Sequence, residues 1–108
     1  MTEVTGNAAQ ARELVYNALR GVIDPEVGIN IVELGLVYEV IADASRVDVT
    51  MTLTSPACPM GNHLAEESRE AIRAVVPPSV LVDVKLAWEP AWRPEMMSDK
   101  AKQLLGWI

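Results

Sequence analysis

Val47-Asp48-Val49-Thr50-Met51-Thr52-Leu53-Thr54-Ser55-Pro56-Ala57-Cys58-Pro59-Met60 is the stretch that decides the fold. Its first eight residues alternate apolar with polar, the period of a strand that turns one face to a core and the other to water. The alternation stops at Ser55-Pro56, and Met60, Leu64, Ala71, Ile72 and Val75 then recur on one stripe of a helix. Glu66, Glu67, Arg69, Glu70 and Arg73 fall mostly elsewhere around that helix, and Pro77-Pro78 ends it. Beyond it, Val80, Val82, Val84, Leu86 and Trp88 alternate with Leu81, Asp83 and Lys85, which predicts another half-buried strand.

Upstream, Val32 to Ile41 is rich in β-branched and apolar residues and predicts a strand pairing antiparallel with its successor across the turn Asp43-Ala44-Ser45. Gly35 in its middle marks a bulge or a close backbone approach. Ala11, Leu14, Val15, Ala18, Leu19 and Val22 predict a first helix over Ala8 to Val22, and Asp24-Pro25-Glu26 opens a loop running to about Ile31. After Trp88, the run Glu89-Pro90-Ala91-Trp92-Arg93-Pro94 is too proline-rich for a central strand. Ser98 suits the N-cap of a last helix whose apolar face is Ala101, Leu104 and Leu105, with Gly106 where a helix commonly ends. The order helix, strand, strand, helix, strand, helix predicts an α+β fold, a compact two-layer sandwich with the helices on one face of a small mixed sheet.

The 108 residues fit a single domain over 1–108, with residues 1–7 expected to form a flexible N-terminus. A net charge of −6 opposes the counterion release that drives non-specific nucleic-acid binding, so no nucleic-acid partner is expected. No run approaches the roughly 20 apolar residues of a membrane span, and no signal peptide is evident; a cytoplasmic protein with no membrane partner is the expectation. Cys58 is the only cysteine, which excludes an intramolecular disulfide.

Pro59 suits a first helical position, which would leave Cys58 near the N-cap, where free N–H groups and the helix dipole favour a thiolate. That thiolate can serve as a metal ligand or as a nucleophile; a small buried hydrophobe is the plainer reading. His63 follows five residues later and can either join Cys58 on a metal or stay solvated on the helix face. Thr52, Thr54 and Ser55 offer hydroxyls to a thiolate or sulfide, although threonines on the wet face of a strand need no function. Asp24, Glu26 and Glu33 bracket the first loop and can approach the cysteine, or can cap turns and remain solvated. Trp88 and Trp92 are either packing residues or a docking edge for a protein partner, and Met96 and Met97 are core filler or a soft binding surface.

Three ordered motifs, Asp24-Pro25-Glu26, Ile31-Val32-Glu33-Leu34-Gly35-Leu36-Val37-Tyr38 and Met51-Thr52-Leu53-Thr54-Ser55-Pro56-Ala57-Cys58-Pro59, together resemble the metal-sulfur cluster biosynthesis family. Trp88-Glu89-Pro90-Ala91-Trp92, Met97-Ser98 and Leu105-Gly106 look like its SufT-like branch, and the additional cysteines typical of the PaaD-like branch are absent. Glu33 stands where many relatives carry aspartate or asparagine. The resemblance implies an iron-sulfur cluster assembly or transfer factor without a turnover reaction, working with assembly proteins and recipient apoproteins, with Cys58 as the functional thiol. The cargo would be a transient, labile iron-sulfur cluster, with Thr54 and Ser55 beside it. Irons of a cluster need about four ligands in all, so a single thiolate per chain calls for a homodimer, a partner or a small thiol to complete the set. An adaptor that docks through Trp88 and Trp92 without a cluster, and a Cys58 thiol enzyme, are the two competing readings.

Overall fold

The structure is a computed structural model, and it describes residues 8–25, 27–54 and 61–106. The expected residues 1–7 tail, Glu26, Ser55, Cys58 and Met60 lie outside the described residues. In chain order come α1 (Ala8–Leu19), β1 (Ile23–Asp24), β2 (Ile29–Asn30), β3 (Val37–Ala42), β4 (Arg46–Met51), α2 (Gly61–Arg73), β5 (Leu81–Leu86), a 3-10 turn (Pro94–Met96) and α3 (Asp99–Leu104). The α+β class and a mixed sheet follow the sequence reading. The addition is the small antiparallel hairpin of β1 and β2 inside the expected loop, whose two-residue strands are too short to leave an alternation in the sequence.

β4 is the centre of the sheet. It pairs antiparallel with β3 and parallel with β5. Parallel neighbours need a crossover, and α2 lies in it. Val40 and Ala42 of β3, Val47, Val49 and Met51 of β4, and Val82 and Val84 of β5 are buried, together with Val15 and Leu19 of α1 and Leu64 and Ile72 of α2. α1 packs on β3 and α2, and α2 packs on β5, so these helices cover the face that carries the buried residues. The alternate positions Glu39, Ile41, Asp48, Thr50, Asp83 and Lys85 stay exposed or half-buried. There the Arg46 guanidinium holds Asp48 through two bonds of 2.7 and 2.8 Å, which keeps that carboxyl below the usual carboxylate range.

The predicted strand Val32–Ile41 is corrected. Regular pairing begins only at Val37, because the side chain of Asn30 accepts the N–H groups of Val32 and Glu33, both at 3.0 Å, and curls the chain into successive turns. Leu34, Gly35 and Leu36 then bond back to Asn30, Val32 and Ile31. Side-chain capping of this kind competes directly with a ladder. The register between β3 and β4 shifts between Val37 and Glu39, a bulge two residues beyond the position that the glycine suggested. At Gly35 itself the expected close approach is present. Its φ is +78°, and a Cβ built there would fall 2.8 Å from the carbonyl carbon of Met96.

That contact belongs to a strap formed by residues 88–98. The Trp92 indole N–H donates to the Leu34 carbonyl at 2.7 Å, and the Tyr38 hydroxyl donates to the Pro90 carbonyl at 2.6 Å. Ser98 closes the strap: its N–H donates to the Glu33 carbonyl at 2.8 Å, and its hydroxyl makes a short bond with the Glu33 carboxylate. The same hydroxyl accepts the Ala101 N–H at 3.1 Å, so Ser98 is the N-cap of α3, as its position in the sequence predicts. Gly106 follows α3 with φ +80°, as a glycine past a helix end commonly does. Replacing Ser98 with alanine removes both the cap and the tie to Glu33, and is expected to cost about 1–2 kcal/mol in urea unfolding. An unchanged midpoint would show that α3 does not hold the strap.

Candidate functional site

The two ends of the sandwich differ in chemistry. At one, Ala11, Leu14, Val47, Val76 and Val80 line an apolar cleft of about 260 Å³ that Asp43 bounds. Asp43 is occupied there by the hairpin turn: its carboxylate accepts the N–H groups of Ser45 and Arg46 and the Ser45 hydroxyl, and the first two hold it below the usual carboxylate range. Among the described residues the walls at this end are mainly aliphatic, with Gln10 and Asp43 as the polar residues of the lining.

α1 runs 12 residues, about 18 Å, away from that cleft to the other end. A chain of main-chain bonds gathers that second end: Ile31 N–H to Val22 carbonyl, Leu36 to Ile31, Thr52 to Leu36 at 2.8 Å, and Ala87 to Met51 at 2.8 Å. The hairpin carrying Asp24, the turns carrying Glu33, the exit of β4 with Thr52 and Thr54, and the exit of β5 leading to Trp88 are thereby brought together. β4 leaves this end toward residues 55–60 and α2 returns from them at Gly61, so the sole thiol is carried by the segment that these two elements bracket.

Within this assembly the candidate side chains have different fates. Asp24 is buried, and its carbonyl accepts the N–H groups of Val27 at 3.2 Å and Gly28 at 2.7 Å, which forms the tight turn of the small hairpin. Glu33 is half-buried and tied to Ser98, with the Arg20 guanidinium 4.0 Å away, so its carboxylate is occupied in fastening the strap. His63 lies on the first turn of α2 with its side chain 59% exposed and Nε2 3.4 Å from Glu67. Thr54 is half-buried and is the last described residue before 55–60. Among the described residues, no three His, Cys, Asp or Glu side chains converge as a metal site.

Trp88 and Trp92 separate. Trp92 packs against the core and spends its N–H on Leu34, whereas Trp88 is 42% exposed just past β5. The sequence treats them alike, because what distinguishes them is the Leu34 carbonyl, which only the fold brings near. Met97 is buried at 5% exposure, and Met96 is half-buried with its sulfur 3.6 Å from the Tyr38 hydroxyl. Thr52 is the residue whose setting the alternation did not reveal. It falls in the polar phase of the strand, yet it is 1% exposed.

Comparison with known proteins places these features in context. The sequence profile of the family described as iron-sulfur cluster assembly protein matches residues 12–85. An Fe-S protein maturation auxiliary factor of Bacillus subtilis is 41% identical over 88% of this chain and 93% of its own length. The Fe-S protein maturation auxiliary factor SufT of Staphylococcus aureus is 46% identical over 79% of this chain and 97% of its own. Among solved structures, a domain of unknown function from Bacillus anthracis superposes with a TM-score of 0.86 at 39% identity, covering 92% of this chain and 94% of that one.

Proposed function

This chain belongs to the iron-sulfur cluster assembly protein family, and on that premise we propose that it is a maturation factor that carries or hands over an iron-sulfur cluster to recipient proteins, with Cys58 as the thiol that holds the cargo. The observation that carries this reading is the likeness over most of the chain to Fe-S maturation auxiliary factors, joined to a fold end whose elements bracket in sequence the one cysteine of the chain. The cluster is cargo, not a resident cofactor. One thiolate cannot satisfy a cluster, so a second chain, a partner or a small thiol supplies the remaining ligands, and the incomplete set makes release easy. The chain performs no turnover of its own. Its other partners are the assembly proteins that load it and the apoproteins that receive the cluster, all met in the cytoplasm.

The exposure of Trp88 favours a second reading, an adaptor that docks its partner through this side chain and needs no cluster. Trp92 faces inward, so Trp88 is the residue that separates the two. In paired assays the carrier reading expects Cys58→Ser to lose iron loading and Trp88→Ala to keep it. Loss of partner capture by Trp88→Ala, with Cys58→Ser indistinguishable from the parent in maturation of the recipient, would replace the carrier with the adaptor.

A further inference from the structure

β5 ends the order β3–β4–β5, and among the described residues no strand pairs with its far side. Its main-chain bonds to β4 are made by alternate residues: the Leu81 N–H donates to the Ser45 carbonyl at 3.1 Å and the Ala87 N–H to the Met51 carbonyl at 2.8 Å. The same phase directs the main-chain groups of Asp83 and Lys85 toward β4. It leaves the N–H and carbonyl groups of Val82, Val84 and Leu86 pointing outward. The opposite edge is covered, since Arg12 of α1 donates its Nε to the Val40 carbonyl of β3 at 3.0 Å. Among the described residues β5 has no such cover, and it carries neither a proline nor a bulge, two devices that commonly blunt an open edge.

The side chains of β5 decide what this edge fits. Val82 and Val84 are buried where α2 packs on the strand, so alternation sets Asp83 and Lys85 on the face away from the helices. These two are of opposite sign, and among the described residues neither enters an ion pair, Arg46 being held by Asp48. We infer that β5 pairs antiparallel with β5 of a second copy of this chain about a two-fold axis at Val84, joining the two sheets into one. About that axis Val84 exchanges both main-chain bonds with its counterpart, and Val82 does so with Leu86 of the second copy, which uses the outward groups of all three. Each Asp83 then lies opposite Lys85 of the second copy, and the symmetry makes that charge pairing twice. The neighbouring registers lack this match. An axis at Asp83 or at Lys85 sets like charges against each other, an axis at Val82 sets Asp83 against Leu81, and an axis at Leu86 sets Asp83 against Glu89. The axis at Val84 also brings the exposed residues at the two ends of the strand, Leu81 at 65% and Trp88 at 42%, opposite Ala87 and Val80 of the second copy. No residue of 55–60 takes part, and the pairing stands whether or not the chain carries a cluster.

The test is sedimentation equilibrium of the full chain, without added iron, over a dilution series, with amide hydrogen exchange read at Val82, Val84 and Leu86. The parent is expected to pass from a mass of two chains to a mass of one on dilution, and the three amides to exchange more slowly at the concentrated end. Lys85→Glu, checked for parent-like circular dichroism, should raise the dissociation constant roughly tenfold or more, because both attractive pairs become repulsive. Combining Asp83→Lys with Lys85→Asp should restore the dimer. Within one chain that double variant sets a lysine toward Arg46 and an aspartate toward Asp48, so only a contact across the axis can gain from it. A parent that is monomeric at every concentration would overturn the inference, as would a dimer indifferent to Lys85→Glu or one that the double variant does not restore. A dimer whose three amides exchange equally fast at all concentrations would overturn it too, and that measurement decides the matter on the parent alone if Lys85→Glu does not fold.

Discussion

Cys58→Ser is expected to abolish cysteine-dependent colour and iron retention after anaerobic reconstitution while the far-ultraviolet circular dichroism stays that of the parent. Serine is nearly the same size, but its hydroxyl is a poor substitute for a thiolate toward iron, and the chain has no other cysteine to take over. His63 does not compensate: it is exposed, it sits beside Glu67, and among the described residues it joins no group of ligands. Among the described residues the buried core is supplied by the β3–β4–β5 sheet, the helices covering it and the turns from Ile29 to Leu36, so a one-atom change at Cys58 is expected to leave the secondary structure in place. In the parent, colour should arrive together with a mass of two chains, or else depend on an added small thiol, since one chain supplies one cysteine where a cluster needs about four ligands. Equal iron in parent and variant, measured after removal of loose metal, would remove Cys58 from the account.

The second large effect is structural. Gly35→Ala is expected to cost roughly 2–4 kcal/mol in urea unfolding, by two additive routes. A φ of +78° strains any L side chain by about 1–2 kcal/mol, and the new methyl would press into the main chain of Met96, an overpacking cost of similar size. The obstacle is backbone, so no rotamer change relieves it. The strap must move instead, taking with it the Trp92–Leu34 and Tyr38–Pro90 bonds. Trp92 fluorescence should therefore report a change even where the variant remains folded. An alanine variant as stable as the parent, with unchanged emission, would show that residues 88–98 are not fastened to the turn at Gly35.

The local parts of this architecture were legible in the sequence. Val47, Val49, Met51 and Leu53 are buried as their alternation requires, the N-cap at Ser98 and the helix end at Gly106 are as read, and Gly35 marks a close approach. These signals act within a few residues. The misreadings come from contacts between distant residues. Val32 to Leu36 has strand-like composition, but the Asn30 side chain and the strap fold it into turns. Glu33 reads as solvated until Ser98 is brought to it, and the two tryptophans read alike until Leu34 accepts from only one. Thr52 is the sharpest case, because its phase in the strand predicts a wet hydroxyl and the fold buries it. The strand-to-helix junction read around Cys58 falls between the exit of β4 and the start of α2 at Gly61, while Cys58 itself lies outside the described residues.

Cluster handover is the central claim, and transfer to an apo-ferredoxin tests it most directly. The reconstituted chain is desalted, mixed with the acceptor in the presence of an iron chelator, and the acceptor is re-isolated and its absorption measured over time. The account predicts that the acceptor gains its cluster from the parent chain faster than from equal free iron and sulfide, that the chelator does not intercept it, and that Cys58→Ser gives only the background rate. Transfer no faster than from free iron and sulfide, or equally fast from Cys58→Ser, would contradict it.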